Sequence, residues 1–136
     1  MWDDNEFAAS VESGRYPNDQ FKHPHHIRLA WIYLRRYGTT GAEERMTATI
    51  RRFARNCGHE EKYHETMTRA WLRLVAVAQY LTPEVATFDD FIARHGWLLD
   101  RGALSPFYTR DCLSSGVARH GWVEPDRNPL PFLSGV

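Results

Sequence analysis

The chain has little of several features that would narrow its class. Its two cysteines, Cys57 and Cys112, form no C-x-x-C motif, so free thiols are expected. Its 17 basic and 17 acidic side chains leave no net charge, which argues against a general nucleic-acid binder. No apolar run approaches the roughly 20 residues of a membrane span, and the acidic start MWDDNEFAAS does not resemble a secretory signal. We therefore expect a cytoplasmic protein whose partners include neither nucleic acid nor a membrane.

The chain does contain repeated helical patterns, and no alternating strand pattern accompanies them. Short helices are predicted over 3–12 and near 107–115, and longer ones over 23–37, 42–57 and 61–81. Another short helix should carry Phe88, Phe91 and Ile92. The connections between the main helices are short, so neighbouring helices should pack antiparallel. The length suits one domain, and we predict a small all-α bundle over 1–136 with an extended, proline-containing C-terminal tail.

Histidines at two predicted helix starts suggest a metal site. His23 and His26 are three positions apart, so they should project from one face of their helix. His64 stands three residues before Met67, on the buried stripe of the 61–81 helix and one turn outside the core. If these helix ends pack together, three imidazoles converge. Such a set suits copper, iron or zinc and leaves a coordination position open for a substrate atom or water.

Structural interpretations of the same histidines remain open. His23 suits a helix cap, and His64 suits a core histidine bonded to a backbone carbonyl. His25 points away from the other two by helical geometry and is expected to be solvated. Three further histidines are predicted to be surface or turn residues, with one of the last two as an optional fourth ligand: His59, His95 and His120.

Three residues near the histidines are candidates for catalysis. Tyr63 could supply a hydroxyl as an acid or as a donor that orients oxygen. Arg28 could receive a substrate carboxylate through two parallel hydrogen bonds, although a solvated or ion-paired arginine is the alternative. Glu65 is the third candidate, although its position four residues before Arg69 favours an ordinary surface ion pair.

Two segments, FKHPHHIRLAW and KYHET, resemble a widespread bacterial family of small helical proteins. Its members carry F-x-H-x-x-H-[LI]-R-[LV]-A-W, then K-Y-H-E-T, then a tail of the form S-x-x-A-R…P-D…L-P. The resemblance spans nearly the whole chain, and the tail matches at Ser115, Ala118, Arg119, Pro125, Asp126, Leu130 and Pro131. It implies a role for His23, His26 and His64 and does not require the other four histidines. It implies no particular activity.

The function predicted from these observations is a small metal-dependent enzyme. One transition metal ion, with copper or iron favoured, would sit on His23, His26 and His64 and support an oxygen-dependent transformation of a small metabolite. With zinc, the same ligands would suit a hydrolase or lyase. A non-enzymatic module that binds a metal or a small ligand is the alternative from another class. The expected partner is a small-molecule substrate, and a homodimer is left open.

Overall fold

The computed structural model describes residues 3–131 and confirms the predicted all-α class, since no strand occurs within that range. Its α-helices are α1 (Asp4–Glu12), α2 (His23–Asn56), α3 (Glu65–Leu81), α4 (Phe88–Arg94), α5 (Arg110–Ser114) and α6 (Gly116–His120). Short 3-10 turns occupy Asn18–Gln20, Glu60–Lys62, Gly96–Leu99 and Arg101–Leu104. The buried apolar side chains form one core cluster. The single domain over 1–136 stays a prediction, because residues 1–2 and 132–136 lie outside the described range.

Helix α2 is a hairpin of two helical arms, a first arm (23–37) and a second arm (39–56), that meet at Gly38. Gly38 has φ +74° and ψ 179°, a backbone conformation that favours glycine. The rings of Phe21 and Phe53 lie 4.8 Å apart, and the hydroxyls of Tyr33 and Thr49 lie 3.0 Å apart. Contacts in this order make the arms antiparallel. The predicted stop at Gly38 is confirmed, whereas the second arm begins before the predicted position 42.

Helix α3 begins at Glu65, so the prediction that it starts at position 61 was wrong. Tyr63 and His64 have extended backbone between the preceding 3-10 turn and the helix. The Arg119 guanidinium donates to the carbonyls of Glu61, at 3.0 Å, and Tyr63, at 3.3 Å. A distant arginine therefore holds the connection in a non-helical conformation that local sequence does not indicate.

The buried face of α3 differs in part from the predicted stripe. Leu74 and Ala78 are buried as expected, but Met67 and Trp71 are only half-buried and Leu81 is 64% exposed. Met67 and Trp71 line a pocket instead of the closed core. The predicted buried stripe is therefore correct at Leu74 and Ala78 and wrong at Leu81, whereas Met67 and Trp71 line the pocket.

The C-terminal segment is tied to the start of α3 by polar contacts. The Thr66 hydroxyl donates to the carbonyl of Gly121 at 2.7 Å and accepts from the backbone N–H of Val123 at 3.1 Å. The Asp126 carboxylate accepts from the backbone N–H of Thr109 at 2.8 Å. The extended tail is confirmed as far as residue 131. The one helix predicted near 107–115 is instead two short helices, α5 and α6.

Both cysteines are free, as predicted: Cys57 and Cys112 form no disulfide. Across residues 3–131, no helix combines the length and the apolar character needed to cross a membrane. The cytoplasmic location stays a prediction.

Candidate functional site

A pocket of about 650 Å³ lies among the two arms of α2, the start of α3 and the turn at Arg101. Its apolar lining comes from the segment before α2, both arms and α3: Phe21, Ile27, Ala30, Met46, Ile50, Phe53, Ala54, Met67, Trp71 and Leu72. Its polar lining consists of Asn18, Asp19, Lys22, His23, His26, His59, Lys62, Tyr63, His64, Thr68 and Arg101. We call it the histidine pocket, since four of the seven histidines line it and His25 does not.

His23, the first residue of α2, ties that helix to the Gly96–Leu99 turn. Its Nε2 lies 2.8 Å from the carbonyl of Leu98, so the proton is on Nε2 and the imidazole donates. Its ring packs edge-on against Trp71, with the centroids 4.4 Å apart. Burial lowers the pKa of His23, and the positive charge of Arg101 lowers it further. His23 is therefore a neutral donor that holds one wall of the histidine pocket.

His64 joins the ends of two helices through one imidazole. Its Nδ1 accepts from the backbone N–H of Met67 at 3.0 Å, which makes it the N-cap of α3. Its Nε2–H donates to the carbonyl of Leu113 at 2.7 Å, one of the terminal carbonyls of α5. Burial is the main cause that lowers the pKa of His64 and keeps the ring neutral. Both ring nitrogens of His64 are thus already engaged by backbone.

His26 differs from His23 and His64 because its ring makes no hydrogen bond to the backbone of the described residues. Its ring lies against that of Phe21, with the centroids 4.3 Å apart. Burial lowers the pKa of His26 to about 4, with further contributions from the charges on its histidine neighbours and on Arg101. Among residues 3–131 its ring nitrogens have no hydrogen-bond partner, so a neutral N–H and a lone pair remain available to a molecule in the pocket.

Of the candidate catalytic residues Tyr63 and Glu65, only Tyr63 lines the pocket. The Tyr63 hydroxyl donates to Glu65 at 2.6 Å. Burial and this bond raise the pKa of Tyr63 well above its usual range, which makes the hydroxyl a poor proton donor to a substrate. Arg69 lies 3.8 Å from Glu65, the ion pair that its spacing favoured. Glu65 is not part of the pocket lining.

Arg28 is not part of the lining of the histidine pocket, so the structure does not bring it together with His23, His26 and His64. Its guanidinium pairs with the carboxylate of Asp4 at 2.9 Å and stacks over Phe7, 4.6 Å from the ring centroid. Arg28 thus fastens α1 to the first arm of α2. The ion-paired alternative describes it better than the role of a carboxylate receptor.

The three predicted metal ligands share one pocket, but as they stand they do not form a metal site. Within residues 3–131 no group of three histidine, cysteine or acidic side chains is arranged to hold a metal ion. His23 and His64 each direct Nε2 at a backbone carbonyl, and Nδ1 of His64 is also used. The ligand set His23, His26 and His64 stays a prediction, and it requires one of the two backbone bonds of His64 to open.

Sequence reasoning missed several residues of this region. Arg101 and His59 line the pocket, yet they come from segments without a recognisable motif. His25 is not simply solvated, because its Nδ1 accepts from the backbone N–H of Lys22 at 3.0 Å. His95, predicted to be a surface or turn residue, ends α4 and is buried, with Nε2 2.9 Å from the Thr82 hydroxyl. Tertiary packing brings Arg101, His59 and His95 to their positions, whereas the bond between Lys22 and His25 is a local contact at the start of α2.

No protein-family model, curated protein or solved structure matches the chain. The histidine pocket is therefore interpreted from its own geometry.

Proposed function

We propose that the protein binds a small organic molecule in the histidine pocket. The volume of about 650 Å³ falls within the range of roughly 300–1,000 Å³ that is typical of small-molecule sites. Such sites combine a mainly apolar lining with a few polar groups that orient the ligand. The histidine pocket has this composition, with its apolar side chains on α2 and α3 and its imidazoles at the helix starts.

The observation that carries this proposal is that the ring nitrogens of His26 have no hydrogen-bond partner within residues 3–131. These nitrogens still contact solvent, so a ligand that hydrogen-bonds to them gains about 0.5–1.5 kcal/mol over water. The other pocket histidines of the helix starts, His23 and His64, already bond to backbone carbonyls. His26 instead offers its N–H and lone pair beside the apolar lining at Phe21 and Phe53. A ligand with an aromatic or aliphatic body and one polar group would satisfy both features.

The uncharged fluorophore N-phenyl-1-naphthylamine tests this proposal, because its emission rises in apolar surroundings. We expect saturable binding to the full chain, with about one probe per chain. Ala54 lines the pocket, so Ala54→Phe should fill part of it and weaken binding at least about tenfold, roughly 1.4 kcal/mol. The matched control is Ala93→Phe, since Ala93 is exposed on α4 outside the pocket.

Circular dichroism and urea unfolding should first establish that both variants fold. Binding that Ala54→Phe leaves unchanged would place the probe elsewhere and contradict the proposal. Equal losses in Ala54→Phe and Ala93→Phe would show a general effect of added bulk and would contradict it as well.

A metal-dependent enzyme is the second candidate function. It is supported by the shared position of the predicted ligands, since His23, His26 and His64 all line one pocket. The metal would be one transition ion, with copper or iron suited to the predicted oxidative chemistry and zinc to hydrolysis or a lyase step. Because both ring nitrogens of His64 are bonded to the backbone, this function requires a local rearrangement that an organic ligand does not.

A further inference from the structure

The charged groups of the histidine pocket are mostly cationic. Lys22, Lys62 and Arg101 line it, whereas Asp19 is the carboxylate in the lining. The lowered pKa values of the buried histidines keep those rings neutral near neutral pH, so they do not alter this balance. The chain as a whole has no net charge, so the positive character belongs to the pocket.

Arg101 is the cation best placed to contact a ligand beside His26. It begins the Arg101–Leu104 turn, and its charge is close enough to lower the pKa values of both His23 and His26. Some other arginines pair with carboxylates, as Arg28 does with Asp4 and Arg69 with Glu43. In the described part of the chain, no carboxylate lies within ion-pair distance of Arg101.

We propose that the ligand of the histidine pocket is an organic anion, and that Arg101 binds its anionic group while the apolar lining holds its body. This inference rests on the proposed small-molecule function and adds the ligand's charge. A guanidinium presents parallel N–H donors that match a carboxylate, sulfonate or phosphate oxygen pair. The nearby neutral His26 adds an N–H donor without a charge that would need its own partner. A cationic ligand would meet Lys22, Lys62 and Arg101 with like charge.

Two fluorophores that differ by one anionic group test the inference. 1-Anilinonaphthalene-8-sulfonate is N-phenyl-1-naphthylamine with an added sulfonate, so the pair isolates the contribution of the negative charge. At low salt, the wild-type chain should bind the sulfonate about tenfold more tightly than the uncharged probe. Arg101→Gln should remove most of that tenfold difference, because it should weaken binding of the sulfonate far more than binding of the uncharged probe. Arg52→Gln is the matched control, because Arg52 is exposed and lies outside the pocket lining.

Competition extends the test to the anion itself. Octanoate should displace the bound sulfonate probe, whereas octanamide should be far weaker and inorganic phosphate, which has no apolar body, should be ineffective. Displacement by phosphate as efficient as that by octanoate would contradict the need for an apolar body.

The outcomes separate the two proposals. If both probes bind equally in the wild type, or if Arg101→Gln weakens both equally, the anion inference fails and small-molecule binding stands. If the sulfonate binds through Arg101 and the uncharged probe does not bind, both proposals stand and the anionic contact supplies most of the affinity. If neither probe binds, both proposals fail.

Discussion

Replacing His64 by alanine should destabilise the protein by about 2–3 kcal/mol, whether or not a metal is present. The substitution removes the N-cap bond to the N–H of Met67, and such a loss costs about 1 kcal/mol. It also removes the donor to the Leu113 carbonyl, for about another 1 kcal/mol or more, because that acceptor loses its partner in a partly buried position. The side chain is 8% exposed, so some packing is lost as well.

Equilibrium urea unfolding, followed by circular dichroism, measures this loss. His64→Asn should recover about 1 kcal/mol, since asparagine can cap α3 but is too short to replace an imidazole at Leu113. His120→Ala should be close to neutral, because His120 is exposed near the end of α6. A metal chelator should leave the wild type unchanged. If chelation lowers wild-type stability as much as His64→Ala does, and His64→Asn recovers nothing, the capping argument is wrong and ligation explains the residue.

Two further predictions concern His26. Its folded-state pKa of about 4 lies below the ordinary 6.5, so the unfolded chain takes up the proton first and stability should fall as pH drops from about 6.5 toward 4. Urea unfolding at about pH 7 and pH 5 should show a loss of about 2 kcal/mol from this residue, which His26→Gln should remove; an unchanged slope in the variant would contradict the assignment. For the metal candidate, elemental analysis of tag-free protein should find about one copper, iron or zinc per chain in the wild type and His120→Gln, and none in His26→Gln. Equal metal contents in the three proteins would exclude His26 as a ligand.

The sequence predicted the helix ends well where a residue at the end itself determines the backbone conformation. Gly38 ends the first arm because its backbone conformation favours glycine, and Gly58, with φ +75°, follows the end of the second arm for the same reason. The start of α3 was misplaced because Arg119 holds the carbonyls of Glu61 and Tyr63. A contact between residues almost 60 positions apart leaves no trace in helical periodicity.

The sequence predicted only part of the site, because it does not show contacts between distant residues. Helical spacing placed His23 and His26 together and His64 at a second helix start, and the resemblance gave the same three residues; all three do line one pocket. Spacing cannot show what a ring nitrogen contacts, and the carbonyls of Leu98 and Leu113 belong to later segments. Arg101 likewise reaches the pocket from a turn that only tertiary packing brings there.

The pocket histidines differ in their hydrogen bonds, and this difference affects which ligand the pocket can accept. His23 holds the Gly96–Leu99 turn against the start of α2, and His64 holds α5 against the start of α3. These two bonds keep the pocket walls in place. An organic anion at Arg101 and His26 leaves those bonds intact and should bind to the pocket as it stands. A metal could bind Nδ1 of His23 while the bond to Leu98 stays intact, but it would have to displace one of the two backbone bonds of His64. The metal's binding energy would then be reduced by the cost of that displacement. An anionic organic ligand therefore requires less of this fold than a three-histidine metal centre does.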